Sequence, residues 1–251
     1  MLYSRNLDKS VPIPLYFQLK NILLEEMSTG NYPIGSMIPT EKELSKIFAI
    51  SRTTVRQAIT ELVQEGKLYR VKSKGTFVAR PKISHDFITR LQTFNEEILQ
   101  AGRIPSTELL AFEVVTMPED CVYHLHAEAG SKAIFLHRKR YADGVPVVVV
   151  ETYLQYDVCK FILDHDFSKE SLYNVLSQNE KTKIFRVSRV VEAVAADSRD
   201  AAILEIKRGK PVHFFLTTGF NHDNQPIEYS KARYRGDQST FHVDIYIETG
   251  R

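Results

Sequence analysis

Residues 51–66 read Ser51-Arg-Thr-Thr-Val-Arg-Gln-Ala-Ile-Thr-Glu-Leu-Val-Gln-Glu-Gly66, and their spacing sets the fold of the first third of the chain. Val55, Ala58, Ile59 and Leu62 recur at helical intervals and form one apolar stripe. Ser51 is placed to cap this helix and Gly66 to end it. At about 100° per residue, Thr53, Arg56, Gln57 and Thr60 point away from the stripe, with Arg52 at its border. Working backwards, Ala49-Ile50 is a tight turn, and Thr40 stands three residues before Glu43, a capping box ahead of Leu44, Ile47 and Phe48. Earlier still, Pro14 opens a helix whose Leu15, Leu19, Ile22, Leu23 and Met27 keep the same rhythm up to Gly30. Two helices across a short turn, the second opening on Arg-Thr-Thr-Val-Arg, form a helix-turn-helix, whose second helix puts its N-terminal side chains on base edges in the major groove. Arginine suits that task because its planar fork bonds guanine O6 and N7 together.

Downstream of Gly66, two β-prone runs in Leu68-Tyr-Arg-Val-Lys-Ser-Lys-Gly-Thr-Phe-Val78 flank a basic tip, Lys72-Ser-Lys-Gly75, which reads as a wing beside the recognition helix. Charge agrees with this. The whole chain of 251 residues carries a formal net charge of only +2, yet residues 1–79 hold 11 basic and 7 acidic side chains, and no acid stands between Glu43 and Glu61 or between Glu65 and Asp86. A basic first part on a slightly acidic remainder points to a polyanion partner for the first part alone.

These residues resemble the winged helix-turn-helix of the GntR family of bacterial transcription regulators. The matching pieces are Ile38-Pro-Thr-Glu-Lys-Glu-Leu44, Ser51-Arg-Thr-Thr-Val-Arg-Gln-Ala58, Leu62, Glu65-Gly-Lys-Leu68 and Lys74-Gly-Thr-Phe-Val78. The resemblance implies DNA contacts from Lys42, Arg52, Thr53, Thr54 and Arg56, and from the wing at Lys72, Ser73, Lys74 and Gly75. Two positions depart from the family pattern: Lys42 stands where arginine is frequent, and Ser73 replaces the first glycine of a Gly-x-Gly wing tip.

Beyond residue 79 the pattern changes. Residues 80–92, with Pro81 and few apolar side chains, read as a linker. Ala133–Tyr141 alternates, Asp143-Gly144 signals a hairpin, and Val145–Val150 follows. A similar unit recurs from Gly209 to Phe220, with a turn at Asp223-Asn-Gln225 and a second run from Pro226 to Ser230. The two hairpins imply a pseudo-symmetric antiparallel sheet, and helical patterns near 157–165, 170–178 and 198–207 imply helices over one face, an α+β domain. Ile134, Leu136, Arg138 and Arg140 share one parity. Two arginines continuing an apolar face either snorkel where the strand twists out, or enclose a bound anion, for which phosphate is the best match to two forks.

This second part resembles the UTRA effector domain of HutC-type GntR members, which has a chorismate-lyase-like fold, through Leu91-Gln-Thr-Phe94, Arg138-Lys-Arg-Tyr-Ala-Asp-Gly-Val-Pro146, Ser171-Leu-Tyr173 and Glu228-Tyr-Ser-Lys-Ala-Arg-Tyr-Arg-Gly-Asp237. By likeness to amino-sugar-phosphate-responsive members, Thr93, Phe94, Arg138, Arg140 and Ser171 would surround a phosphate, and Glu228 and Tyr234 would meet sugar hydroxyl or amide groups. Glu151 would be a further sugar contact if a bulge removes the one residue too many between it and Pro146.

The expected organisation is therefore a winged helix-turn-helix over residues 1–79, a linker over 80–92 and a UTRA-type effector-binding and dimerisation domain over 93–251. The expected function is a ligand-responsive regulator, a repressor released from a pseudo-palindromic operator by a small anion such as an amino-sugar phosphate. Two half-sites one helical turn apart call for a homodimer. Rival readings are an activator of the same build, a sensor of a non-phosphorylated organic acid, and an enzyme with an appended DNA-binding module. No cofactor is expected, and about 170 residues are too few for an appended pyridoxal-phosphate domain. His124 and His126 lack the spaced partners of a metal site. Two cysteines, no signal-like start and no apolar run of about 18 residues lead to the expectation of a reduced cytoplasmic protein without a membrane span.

Overall fold

The computed structural model describes residues 5–85 and 92–243 and divides into two compact units, residues 1–82 and 83–251. Within the expected linker, Ile83–His85 form a strand of the second unit, while residues 86–91, Leu91 among them, lie outside the described residues.

The first unit packs three helices, α1 (Leu15–Ser28), α2 (Glu41–Phe48) and α3 (Arg52–Gln64), beside a hairpin of β1 (Leu68–Val71) and β2 (Gly75–Val78). Both expected caps are made. Thr40 accepts from the Glu43 amide while the Glu43 carboxylate accepts from the Thr40 amide, and Ser51 accepts from the Thr54 amide. The turn between α2 and α3 closes because Ala49 adopts φ 47°, a left-handed conformation costly for a residue with a Cβ. Leu19, Leu23, Leu44, Val55, Ala58, Ile59 and Leu62 are sealed from solvent in one core, so α3 is fixed by its apolar stripe and leaves its other face free. The wing tip turns through Ser73 at φ 63°, the conformation a glycine adopts at lower strain. At Gly75, φ is 135°, a conformation that strains any residue with a Cβ, and an added Cβ would also press 2.8 Å from the Met37 sulfur.

The second unit runs β3 (Ile83–His85), α4 (Phe94–Gln100), β4 (Pro105–Thr116), α5 (Glu119–Leu125), β5 (Lys132–Ala142), β6 (Val145–Gln155), α6 (Tyr156–Cys159), α7 (Leu172–Leu176), β7 (Arg186–Ala195), α8 (Ser198–Ile203), β8 (Pro211–Phe220), β9 (Pro226–Arg235) and β10 (Ser239–Phe241). Six strands form one antiparallel sheet in the order β4-β5-β6-β9-β8-β7, and β3 pairs in parallel with β10. The two expected hairpins, β5–β6 and β8–β9, meet at the β6–β9 pairing in the centre, and each is flanked by an outer strand, β4 or β7. Helices cover both faces rather than one. Leu136 and Leu154 pack with Ile162, Leu172 and Val175 on the first face, whereas Ala133 and Tyr229 meet Cys121 and Leu125 of α5, and Val149 and Val212 meet Ala201 and Leu204 beside α8, on the second. No helix among the described residues is long and apolar enough to cross a membrane.

Candidate functional site: a basic helix face and an arginine-lined cavity

On the first unit, Arg52, Thr53, Arg56 and Gln57 are exposed along α3, and Lys42 is exposed in the first turn of α2. Thr54 is half-buried, and its hydroxyl lies 2.8 Å from the Ser51 hydroxyl, so it serves the helix cap as well as the surface. Lys72, Ser73 and Lys74 are exposed at the wing tip, with Gly75 half-buried behind them. An acid also sits on this surface. Glu41 Oε2 accepts from Arg56 Nε at 3.1 Å, and its Oε1 lies 3.6 Å from Arg70 Nη2, which donates to the Thr60 hydroxyl at 3.1 Å. Motif spacing does not single out Glu41 or Arg70; only folding brings α2, α3 and β1 to one point. Cations along a helix N-terminus and a wing supply attraction to phosphates, and the exposed arginines of α3 are of the type that reads base edges.

On the second unit, the cavity is built by strand register. Arg138 pairs with Val150 and Arg140 with Val148, across from which Val150 meets Ala232 and Val148 meets Tyr234; Thr152 meets Ser230, and Thr217 meets both Ser230 and Arg189. These side chains share one face of the sheet, and Thr93, Phe94, Ser171 and Tyr173 close over them. Seven of the eight residues expected at the effector site, Thr93, Phe94, Arg138, Arg140, Ser171, Glu228 and Tyr234, line this one cavity.

Glu151 does not. The strand bulges between Pro146 and Val148 opposite Arg140 and Tyr141, as the sequence spacing required, but Glu151 pairs in register with His137 and lies on the opposite face. There it meets Arg199 at 2.9 Å and Arg233 at 3.5 Å. Thr152, the next residue, takes the cavity position. Arg189, Thr152, Thr217, Ser230 and Gln92 also line the cavity without having been singled out by the sequence. Alternation along β7 was the signal available for Arg189.

The electrostatics of the cavity are lopsided. Arg138 is 3% exposed and its guanidinium makes one long hydrogen bond, Nη2 to the Thr152 hydroxyl at 3.5 Å; Nε and Nη1 are buried without a partner. The Nε of Arg140 is likewise buried and unpartnered, and its guanidinium lies 5.1 Å from the Phe94 ring centre. Burial, and for Arg138 the neighbouring charge of Arg140, pushes both guanidinium pKa values down. Arginine is basic enough to remain charged nonetheless, so the strain appears as a demand for an anion. At the other end, burial raises the Glu228 pKa, and the Tyr173 hydroxyl donates to its Oε1. Glu228 fits because Gly219 lies beneath it: a Cβ there would stand 2.8 Å from Glu228 Cγ. Gln92 Oε1 is a buried acceptor without a donor. The cavity therefore offers unpartnered guanidinium donors beside the acceptors Glu228 and Gln92, a lining able to bond both acceptor and donor groups of a small molecule.

Comparison with known proteins agrees with both halves. The pattern of bacterial regulatory proteins of the gntR family matches residues 15–78, and that of the UTRA domain matches residues 100–240. The HTH-type transcriptional repressor NagR of Bacillus subtilis is 30% identical over 236 residues, covering 94% of this chain and 96% of that protein. The histidine utilization repressor of Pseudomonas putida is 28% identical over 80% of this chain and 79% of its own length. Among solved structures, PhnF from Mycobacterium smegmatis superposes with a TM-score of 0.67 at 26% identity, over 93% of this chain and 99% of that one. With two domains in the same order and a relative aligned along nearly its whole length, the chain belongs to the gntR family of bacterial regulatory proteins, as a HutC-type member that joins a winged helix-turn-helix to a UTRA domain.

Proposed function

We propose that the protein is a homodimeric repressor that leaves a pseudo-palindromic operator when a phosphorylated amino sugar, N-acetylglucosamine-6-phosphate or glucosamine-6-phosphate, enters the UTRA cavity. The observation that carries the ligand class is the pair of arginines, buried Arg138 and half-buried Arg140, whose buried Nε atoms, with Arg138 Nη1, lack partners. Phosphate answers two forks at once; Thr93 and Ser171 add hydroxyl donors, and Glu228 and Tyr234 take the sugar's hydroxyl or amide groups. The name of the Bacillus subtilis relative, a transcriptional repressor, supports the sign of regulation. Lys42, Arg52, Thr53, Thr54 and Arg56 contact the operator from the helices, with Lys72, Ser73, Lys74 and Gly75 contacting it from the wing. Binding to DNA places the protein in the cytoplasm. Release requires that the ligand favour one arrangement of the two units over the other, with residues 80–82, the part of the expected linker ahead of β3, as pivot, because a ligand indifferent to the arrangement shifts nothing.

The test is fluorescence anisotropy on DNA upstream of the protein's own gene, at fixed salt, with and without each sugar phosphate. The expected result is release by one of them from the wild type. Arg140→Ala is expected to bind DNA and ignore the ligand, and Arg56→Ala to lose specific binding while keeping ligand affinity. Release of Arg140→Ala at wild-type ligand concentrations would refute the cavity assignment. Release of the wild type by urocanate or a fatty acid, and by neither sugar phosphate, would replace the ligand class while leaving the DNA reader in place.

A further inference from the structure

We propose that Glu41 is a positioning residue for base readout: it holds Arg56 from the side, so that the terminal fork of the guanidinium faces the groove, and it sets base discrimination at the expense of raw affinity. This rests on the DNA-reading role of α3. An acid on a surface that meets phosphates works against attraction, and Glu41 is partly exposed, at 28% of its side chain, on the face that carries Lys42, Arg52 and Arg56. As the first residue of α2 it also suits the positive end of that helix, but that role needs only a charge, whereas the observed contacts are directional. One carboxylate oxygen takes Arg56 Nε at 3.1 Å. The other lies 3.6 Å from Arg70 Nη2, and that same nitrogen donates to the Thr60 hydroxyl at 3.1 Å. Thr60 and Arg70 thus brace Glu41, and Glu41 braces Arg56.

The consequence lies in which nitrogens remain. Arg56 is 65% exposed along its side chain, and only its Nε is engaged; Nη1 and Nη2 carry no partner among the described residues. Those two atoms are a fork that can bond guanine O6 and N7 together. An exposed arginine without a lateral anchor samples many rotamers and can meet a phosphate as readily as a base edge. With Nε fixed, that freedom is largely removed before binding, and the fork is left as the natural point of contact.

The test is selection of binding sites from a randomised duplex pool, using the full chain as wild type, Arg56→Lys, Glu41→Gln and Glu41→Asp. Arg56→Lys keeps the charge but not the fork, and it identifies the base pair that Arg56 reads as the position whose preference weakens. Anisotropy then compares the selected duplex with one changed at that pair. Glu41→Gln is expected to lower that ratio about fivefold or more, within the range a bidentate contact commands, while binding to unrelated duplex tightens because an acid has gone. Glu41→Asp keeps the charge at the helix end but is one methylene short, and it is expected to lose discrimination too. Unchanged ratios in both variants, or a wild-type ratio in Glu41→Asp alone, would overturn the proposal. A pool from which the wild type enriches no motif would instead overturn the DNA-reading assignment beneath it. Melting curves of both variants check that they are folded.

Discussion

Replacing Arg138 with methionine should make the unliganded protein more stable. The side chain is 3% exposed, two of its three guanidinium nitrogens are buried without partners, and the third makes a hydrogen bond at 3.5 Å. Replacing buried ion pairs or triads with apolar groups of similar volume is often neutral or stabilising by about 1–4 kcal/mol, and an unpaired buried charge is costlier still, while losing the long bond to Thr152 costs about 0.5–1 kcal/mol. A net gain of about 2 kcal/mol corresponds to roughly 4–8 °C in melting temperature for a domain of this size. Phosphate should reverse the order. For the wild type, an anion at 100 times its dissociation constant adds about 2.7 kcal/mol, whereas the methionine variant, with half of its grip removed, gains far less. Differential scanning calorimetry of both full chains, first in phosphate-free buffer and then with rising inorganic phosphate, should show the two transitions cross. A variant that melts at or below the wild type without phosphate would refute the view that Arg138 is held at a cost. Equal phosphate shifts in both proteins would refute its role as an anion ligand.

Two further expectations concern the wing and the acidic end of the cavity. Gly75→Ala forces a Cβ to within 2.8 Å of the Met37 sulfur at φ 135°, and should cost the first unit about 1–3 kcal/mol, whereas Ser73→Gly relieves φ 63° and should cost nothing; urea titrations followed by circular dichroism separate the two. Because burial raises the Glu228 pKa, the folded state holds that proton above the pH at which the unfolded chain releases it, so the associated stability is present at low pH and is lost as pH rises through the folded-state pKa. Glu228→Gln should therefore fall off less steeply than the wild type when melting is followed upward from about pH 4.5; parallel curves would contradict a raised pKa.

How much of this was legible in the sequence follows from how local each signal is. The caps at Thr40 and Ser51 and the stripe on α3 are decided within a turn or two of helix, and all were readable. The parity of Arg138 and Arg140 was readable because β5 is a central strand with one apolar face. The outer strands β4 and β7 were not. Their alternation runs only between half-buried and exposed positions, so few strongly apolar residues mark it, and β4 slips register between Leu109 and Ala111, which breaks the period of two. Missing β7 meant missing Arg189. The misplaced Glu151 has the same origin: counting along β6 from Pro146 cannot tell on which side of a bulge the phase is reset, and Thr152 inherits the position. Helices α5 and α8, of seven and six residues, are too short for periodicity to say which face of the sheet they cover.

The placement of the cavity across the central pairing of β6 with β9 has a further consequence. Its arginines at 138 and 140 come from one hairpin, and Glu228, Ser230 and Tyr234 come from the other. Each half of the lining can therefore mutate on its own scaffold. On the proposed function, exchanging Glu228 or Tyr234 would alter which hydroxyl or amide pattern is accepted from one hairpin, and altering the arginines would change the anion grip from the other. A cavity divided between two hairpins in this way would give a lineage of regulators a short mutational route from one effector to another, two strands at a time.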